Sequence, residues 1–220
     1  DKVSVTGQGA YMSANAGTTG YSVSNLTLTG VDKGNYALSA GNSISGSDGA
    51  ISKAVLTVTA QSDRKTYDGE AYQGGNGEIY SGLVNNEAST VLSGTLSYGG
   101  TSQNAVNAGT YTITPQGLSS SNYTLSYASA PLVIDPVSIT TSPVSVLLQG
   151  PVSKVYDGTD IATLSSSNYI LTGWIGTDSA SITKTTGTYD NANVGSSKLV
   201  TVSVSASDYL ASAGTNLSNY

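Results

Sequence analysis

The chain has 220 residues, a formal net charge of −6, and no cysteine or histidine. Those absences exclude disulfides, thiolate nucleophiles and Cys/His zinc sites, and they remove the commonest general base. Eight Lys and Arg spread over this length cannot form the basic stripe that displaces counterions from nucleic acid, and no apolar run nears the roughly 20 residues of a membrane helix, so neither nucleic acid nor membrane insertion is expected.

In chain order, residues 1–53 carry strands near 21–28 and 36–39 and a closing run to Ile51. A strand at 55–61 follows, in which Leu56, Val58 and Ala60 alternate with Thr57 and Thr59, a period of two that buries one face. Next come the Tyr67-Asp68-Gly69 turn and a Gly-rich stretch. Asn85 to Leu92 offers an Asn cap, an acidic first turn and then apolar residues, which predicts one short helix or helical turn; 176–182 is its equivalent. Strands are predicted near 94–99, 109–115, 122–128 and 131–135, then near 144–149, 169–172, 185–190 and 198–205. Asp135-Pro136 and Ser142-Pro143 are the linker candidates, because proline stiffens a joint between strands. Apolar residues reach 38% and charged ones only 10%, with 63 Ser plus Thr and 15 Tyr. That is too apolar for disorder, and such sparse charge suits an extracellular β-rich protein.

The pattern repeats. Tyr67-Asp68-Gly69 returns as Tyr156-Asp157-Gly158, and Gly82-Leu83-Val84 is echoed by Gly173-Trp174-Ile175. An Asn-x-Gly turn occurs at Asn15/Gly17, Asn107/Gly109 and Asn193/Gly195, and an Asn-Tyr pair at Asn35-Tyr36, Asn122-Tyr123 and Asn219-Tyr220. Four markers in one order, with a period near 90, read as an array of similar modules. The expected frame is 1–53 as the C-terminal part of one module, 54–136 as a complete module and 137–220 as a third, truncated at its C-terminal end. The expected fold is β-dominated: tandem small β-modules, each a β-grasp-like sheet with one short helix, or alternatively an immunoglobulin-like sandwich.

Lys154-Val155-Tyr156-Asp157-Gly158-Thr159, followed by Asn193-Val194-Gly195, Lys198-Leu199-Val200-Thr201-Val202 and Ser218-Asn219-Tyr220, resembles the YDG repeat domain. The middle module resembles the related MBG domain through Lys65-Thr66-Tyr67-Asp68-Gly69, Gly94-Thr95-Leu96, Asn107 to Tyr111 and Ser121-Asn122-Tyr123. Residues 24–38 look like the end of another YDG repeat. The resemblance implies a stalk repeat of a large bacterial exoprotein of the filamentous-haemagglutinin, two-partner-secretion type. It implies an extracellular location on a Gram-negative cell surface, and it carries over no catalytic residue.

Each motif has a plain structural reading beside a functional one. In the Tyr-Asp-Gly turns, Tyr67 and Tyr156 would plug the core, Asp68 and Asp157 would hydrogen-bond their own turns, and Gly69 and Gly158 would take positive φ. Calcium at those aspartates would need six to eight oxygens, and no Asp-x-Asp-x-Asp-Gly loop exists, so no cofactor or metal is expected. Ser62 to Lys65 and Ser181 to Lys184 match Ser-x-x-Lys but lack companions, so no enzyme is expected. Tyr72, Tyr80, Tyr98 and Trp174 are the candidate glycan contacts, because aromatic faces stack on sugars. The expected function is a non-catalytic spacer of a surface adhesin, whose partners are neighbouring repeats of the same chain and, elsewhere in the protein, a host or matrix glycan or protein receptor. The alternatives are a module binding mucin or exopolysaccharide, and a self-associating module making biofilm or cell–cell contacts through open strand edges.

Overall fold

A computed structural model describes residues 2–137 and 145–220, the side chain of Ser145 excepted. The Ser142-Pro143 linker candidate lies outside the described residues. The strands are β1 (Ser4–Tyr11), β2 (Gly17–Thr29), β3 (Ile44–Ile51), β4 (Ala54–Ala60), β5 (Asp63–Thr66), β6 (Glu78–Ser81), β7 (Ser93–Gly99), β8 (Gly109–Ser119) and β9 (Tyr123–Ala128). They continue with β10 (Ala130–Asp135), β11 (Ser145–Leu148), β12 (Ile161–Thr163), β13 (Tyr169–Thr172), β14 (Ala180–Ile182), β15 (Thr186–Tyr189), β16 (Val200–Thr201) and β17 (Tyr209–Ala211). The fold is therefore β-dominated and made of several small sheets.

The chain forms two compact units. The first comprises Asp1–Gln61, Gly74–Gly99 and Ile113–Ala130; the second comprises Ser62–Gln73, Gly100–Thr112 and Pro131–Tyr220. Each is assembled from separated pieces of chain, and the boundary falls within β8 and β10.

In the first unit, β1, β2 and β3 form an antiparallel meander. In the sheet β6-β4-β9, β4 pairs antiparallel with β6 and parallel with β9. The alternation in β4 is realised: Leu56, Val58 and Ala60 are buried, Val55 is exposed, and Ile113 and Tyr123 are also buried. The β1 strand is exposed along its whole length, so it is a wet edge.

In the second unit, β5 pairs parallel with β10, and Leu132 and Ile134 of β10 are buried. Three small antiparallel groups follow: β11-β13, β12-β15-β16 and β14-β17. Leu164, Tyr169 and Ile182 form a core cluster onto which Val146, Leu148, Val200, Val202 and Tyr209 pack.

Three local expectations differ from the structure. Residues 36–39 carry no strand and follow a single 3-10 turn at Lys33–Asn35. The run at 198–205 is a strand only at Val200–Thr201, because Ser205 caps a 3-10 turn at Ala206–Asp208 and its hydroxyl and amide both bond Asp208. The short helix takes the form of a 3-10 turn at Ser89–Val91, and 176–182 contains β14 rather than a helix. Ser and Thr compete for backbone hydrogen bonds and favour such turns over helix interiors.

Candidate functional site

The strongest organised feature is a polar joint built twice from the same residue types. In the first unit, the Asn15-Ala16-Gly17 turn meets Asn122. The Ala16 N–H donates to Asn122 Oδ1 at 3.0 Å, and Asn122 Nδ2 donates to Asn15 Oδ1 at 3.0 Å. The Asn122 carbonyl accepts from the Ala54 N–H at 3.0 Å. In the second unit, Ala108 N–H donates to Asn219 Oδ1 at 2.8 Å and Asn219 Nδ2 donates to Asn107 Oδ1 at 3.0 Å. The Asn219 carbonyl accepts from Val137 N–H at 2.7 Å. An Asn suits this task because its amide presents one donor and one acceptor side by side. Gly17 and Gly109 let the covered turns close, at φ of +129° and +154°.

The tyrosine after each asparagine locks the same joint. Tyr123 Oη accepts from the Val84 N–H at 3.0 Å and donates to Glu87. Tyr220 Oη accepts from the Ile175 N–H at 3.0 Å and donates to Asp178 Oδ2 at 2.7 Å. In both copies the acid sits three residues after the aliphatic residue, and its own N–H closes a turn onto that residue's carbonyl. Gly82 and Gly173, both at positive φ, begin these two loops.

The second joint has one further member. Tyr67 of the Tyr-Asp-Gly turn is 6% exposed, donates to Asp178 Oδ2 at 2.7 Å and meets the Tyr220 ring edge-on at 5.8 Å. Trp174 packs on Tyr220 at 4.8 Å, and its Nε1, though buried, has no hydrogen-bond partner among the described residues. One carboxylate thus serves two phenols. Burial, and then the bond to Asp178, raises the Tyr67 pKa and pushes that of Tyr220 up to about 12. At Tyr123 the bond to Glu87 is the leading cause of the rise.

The sign of the pH dependence follows. A phenol whose pKa is higher folded than unfolded stabilises fully below its ordinary value of 10.0 and loses that contribution as pH rises through about 12. Denaturant unfolding will therefore show stability falling across that window. Phenolate absorbance should show a subset of tyrosines titrating late; a single ordinary titration of all fifteen would contradict this.

The two Tyr-Asp-Gly turns share their local chemistry. Lys65 Nζ bonds Asp68 Oδ1 at 2.6 Å and the Glu70 carbonyl at 3.1 Å, while the Glu70 N–H donates to Asp68 Oδ1. Lys154 Nζ bonds Asp157 Oδ1 at 2.7 Å and the Thr159 carbonyl at 2.7 Å, while the Thr159 N–H donates to Asp157 Oδ1. Lys154, with the amide and hydroxyl of Thr159, holds the Asp157 carboxyl down at about 2. Burial pushes the Asp68 carboxyl up, but Lys65 and the Glu70 amide outweigh it and lower the pKa. Gly69 and Gly158 both have φ of +79°.

The two surroundings differ. A Cβ on Gly69 would meet Ile175 Cγ2 at 3.3 Å, whereas Gly158 faces open space. Contrary to its expected place in the core, Tyr156 is 64% exposed. Both alanine substitutions will strain the backbone by about 1 kcal/mol. Gly69→Ala should destabilise more than Gly158→Ala in parallel melts, since only it has a neighbour to displace.

The aromatic candidates fall into separate places. Tyr80 and Tyr98 come together in the first unit, where their hydroxyls donate to the two oxygens of Glu78 at 3.1 and 2.7 Å. Burial, then this bond, pushes the Tyr98 pKa up to about 12. In the second unit, Tyr72 donates to Asp63 at 2.8 Å, and Trp174 belongs to the joint. All four rings are half-buried. The Asn-x-Gly turns and the Asn-Tyr pairs are visible in the sequence, but not that the turns at Asn15 and Asn107 are the partners of the pairs at 122–123 and 219–220. Glu87 and Asp178 fall in the stretches expected to start a short helix; the signal for their role in the joint is their shared offset from Val84 and Ile175.

Comparison with known families agrees with this arrangement. A model of the YDG domain matches residues 1–44 and 140–220, which together exceed half the chain. The chain belongs to the YDG-domain family. Between its two YDG segments, residues 56–133 match the MBG domain of YGX type. YDG and MBG domains are those of surface-associated repeat proteins. In this YDG chain the first joint links Asn15 of one YDG segment to Asn122 of the MBG segment. The second links Asn107 of the MBG segment to Asn219 of the other YDG segment. No curated protein and no solved structure matches the chain.

Proposed function

We propose that this chain is a non-catalytic spacer from the extracellular stalk of a bacterial surface adhesin, with successive repeats clamped by the Asn–Asn and Tyr–acid joint. The supporting observation is the repetition itself: the same donors and acceptors recur in the same order at Asn15/Asn122 and Asn107/Asn219. Function kept in a repeated contact suits a load-bearing array better than a pocket, which needs one asymmetric set of groups. The spacer needs no calcium, because Lys65 and Lys154 already place an ammonium on the aspartates of the Tyr-Asp-Gly turns.

The test is force spectroscopy on the whole chain held at its two ends. Asn122→Ala and Asn219→Ala together should lower the force at which the repeats come apart, and chelator should leave the wild-type trace unchanged. A glycan array addresses the carbohydrate-binding alternative, for which the engaged hydroxyls of Tyr80 and Tyr98 leave little free polar equipment. Specific glycan capture that is lost with Tyr98→Ala would replace the spacer reading.

A further inference from the structure

The Asn-x-Gly turn occurs three times, but Asn122 and Asn219 cover only two of its copies. The third, Asn193-Val194-Gly195, is covered by no asparagine among the described residues. Val194 is 85% exposed, whereas the equivalent amides of Ala16 and Ala108 each donate to an asparagine. Tyr156 is 64% exposed where its equivalent Tyr67 is 6% exposed and bonded to an acid. Gly158 faces open space where Gly69 faces an isoleucine. The first two of these differences lie together around a cavity of about 290 Å³ lined by Val152, Lys154, Tyr156, Tyr189, Asn193 and Val194.

We infer that this face of the second unit is a preformed docking surface for a further repeat of the MBG type. The inference deepens the spacer reading and rests on it. The occupant is specified by the chain's own precedent, since the YDG turn at Asn15 is covered by an MBG segment. The docking repeat supplies an asparagine whose amide oxygen takes the Val194 N–H and whose amide nitrogen reaches Asn193 Oδ1. It also supplies a carboxylate, in the place of Glu87, for the Tyr156 hydroxyl, as Asp178 does for Tyr67. Docking reshapes the turn. Gly17 and Gly109 sit at strongly positive φ under their partners, while Gly195, uncovered, is not among the positive-φ glycines.

The experiment extends the 220-residue chain beyond Tyr220 with a second copy of its own residues 37–136. This keeps the register in which Asn35-Tyr36 is equivalent to Asn219-Tyr220. Hydrogen exchange is then compared between the parent and the extended chain. Protection of the amides at 192–196 should rise at least tenfold. It should return to the parent level when Asn122→Ala is placed in the appended copy alone. Gly195→Ala should leave the parent chain's stability unchanged and weaken that protection in the extended chain. If the appended copy does not fold, as judged by protection of its β4 and β9 equivalents, an extension carrying residues 37–220 replaces it. A folded extension that leaves 192–196 unprotected overturns the docking surface. Protection of 192–196 together with specific glycan capture would instead overturn the spacer reading and leave the docking surface standing.

Discussion

Asn219→Ala will destabilise the second unit by about 3 kcal/mol. Asn219 is 1% exposed, and its side chain makes the two hydrogen bonds that hold the turn at Asn107. Truncation empties a buried site and leaves the half-buried Ala108 N–H without its partner, while Asn107, which is exposed, can turn its Oδ1 to water; an unsatisfied buried polar group costs about 1–3 kcal/mol. The backbone bond from Val137 N–H to the Asn219 carbonyl survives, so the loss is in the side-chain clasp. The half-buried Asn122 does the same work in the first unit, where water can partly replace it, so Asn122→Ala should cost less. Denaturant titration of both variants checks the order. Equal and negligible effects would remove the joint as a structural element.

Asp178→Ala should be comparably damaging, at about 2–4 kcal/mol. Its Oδ2 accepts from both Tyr67 and Tyr220, so one truncation takes the acceptor from two phenol O–H groups whose rings pack edge to face. Tyr67→Phe removes only one of these bonds and should cost about 1 kcal/mol. A double-mutant cycle of Asp178→Ala with Tyr67→Phe should show coupling, because the second loss is already contained in the first. Additive losses would mean that the hydroxyl and carboxylate act independently. Asp178→Ala should also bring the Tyr220 phenol part of the way back toward its ordinary range, because burial, the largest cause of the rise, remains.

Much of the fold was legible because strand patterning is local. The alternation of Leu56, Val58 and Ala60 with threonine predicts one buried face, and β4 buries that face. The strands at 93–99, 109–119, 123–128 and 130–135 lie close to where period-two patterning places them. The short strands β5, β6, β12, β14 and β17, each of three or four residues, were not legible, although β13 and β15, of four residues each, were expected close to their places. Residues 36–39 misled because a Tyr and a Leu two apart look like a strand fragment with or without a partner.

By itself the sequence determined the β-dominated class, the order of the repeated markers and the glycine positions of the Tyr-Asp-Gly turns. These depend on side-chain period and on backbone conformations that few residues tolerate. Only the tertiary structure decided what the markers are for. It joined Asn107 to Asn219 and Asn15 to Asn122 across more than a hundred residues of chain, and it buried Tyr67 while leaving Tyr156 in water. Those outcomes depend on which segment covers which turn, a relation between distant residues that no local pattern encodes.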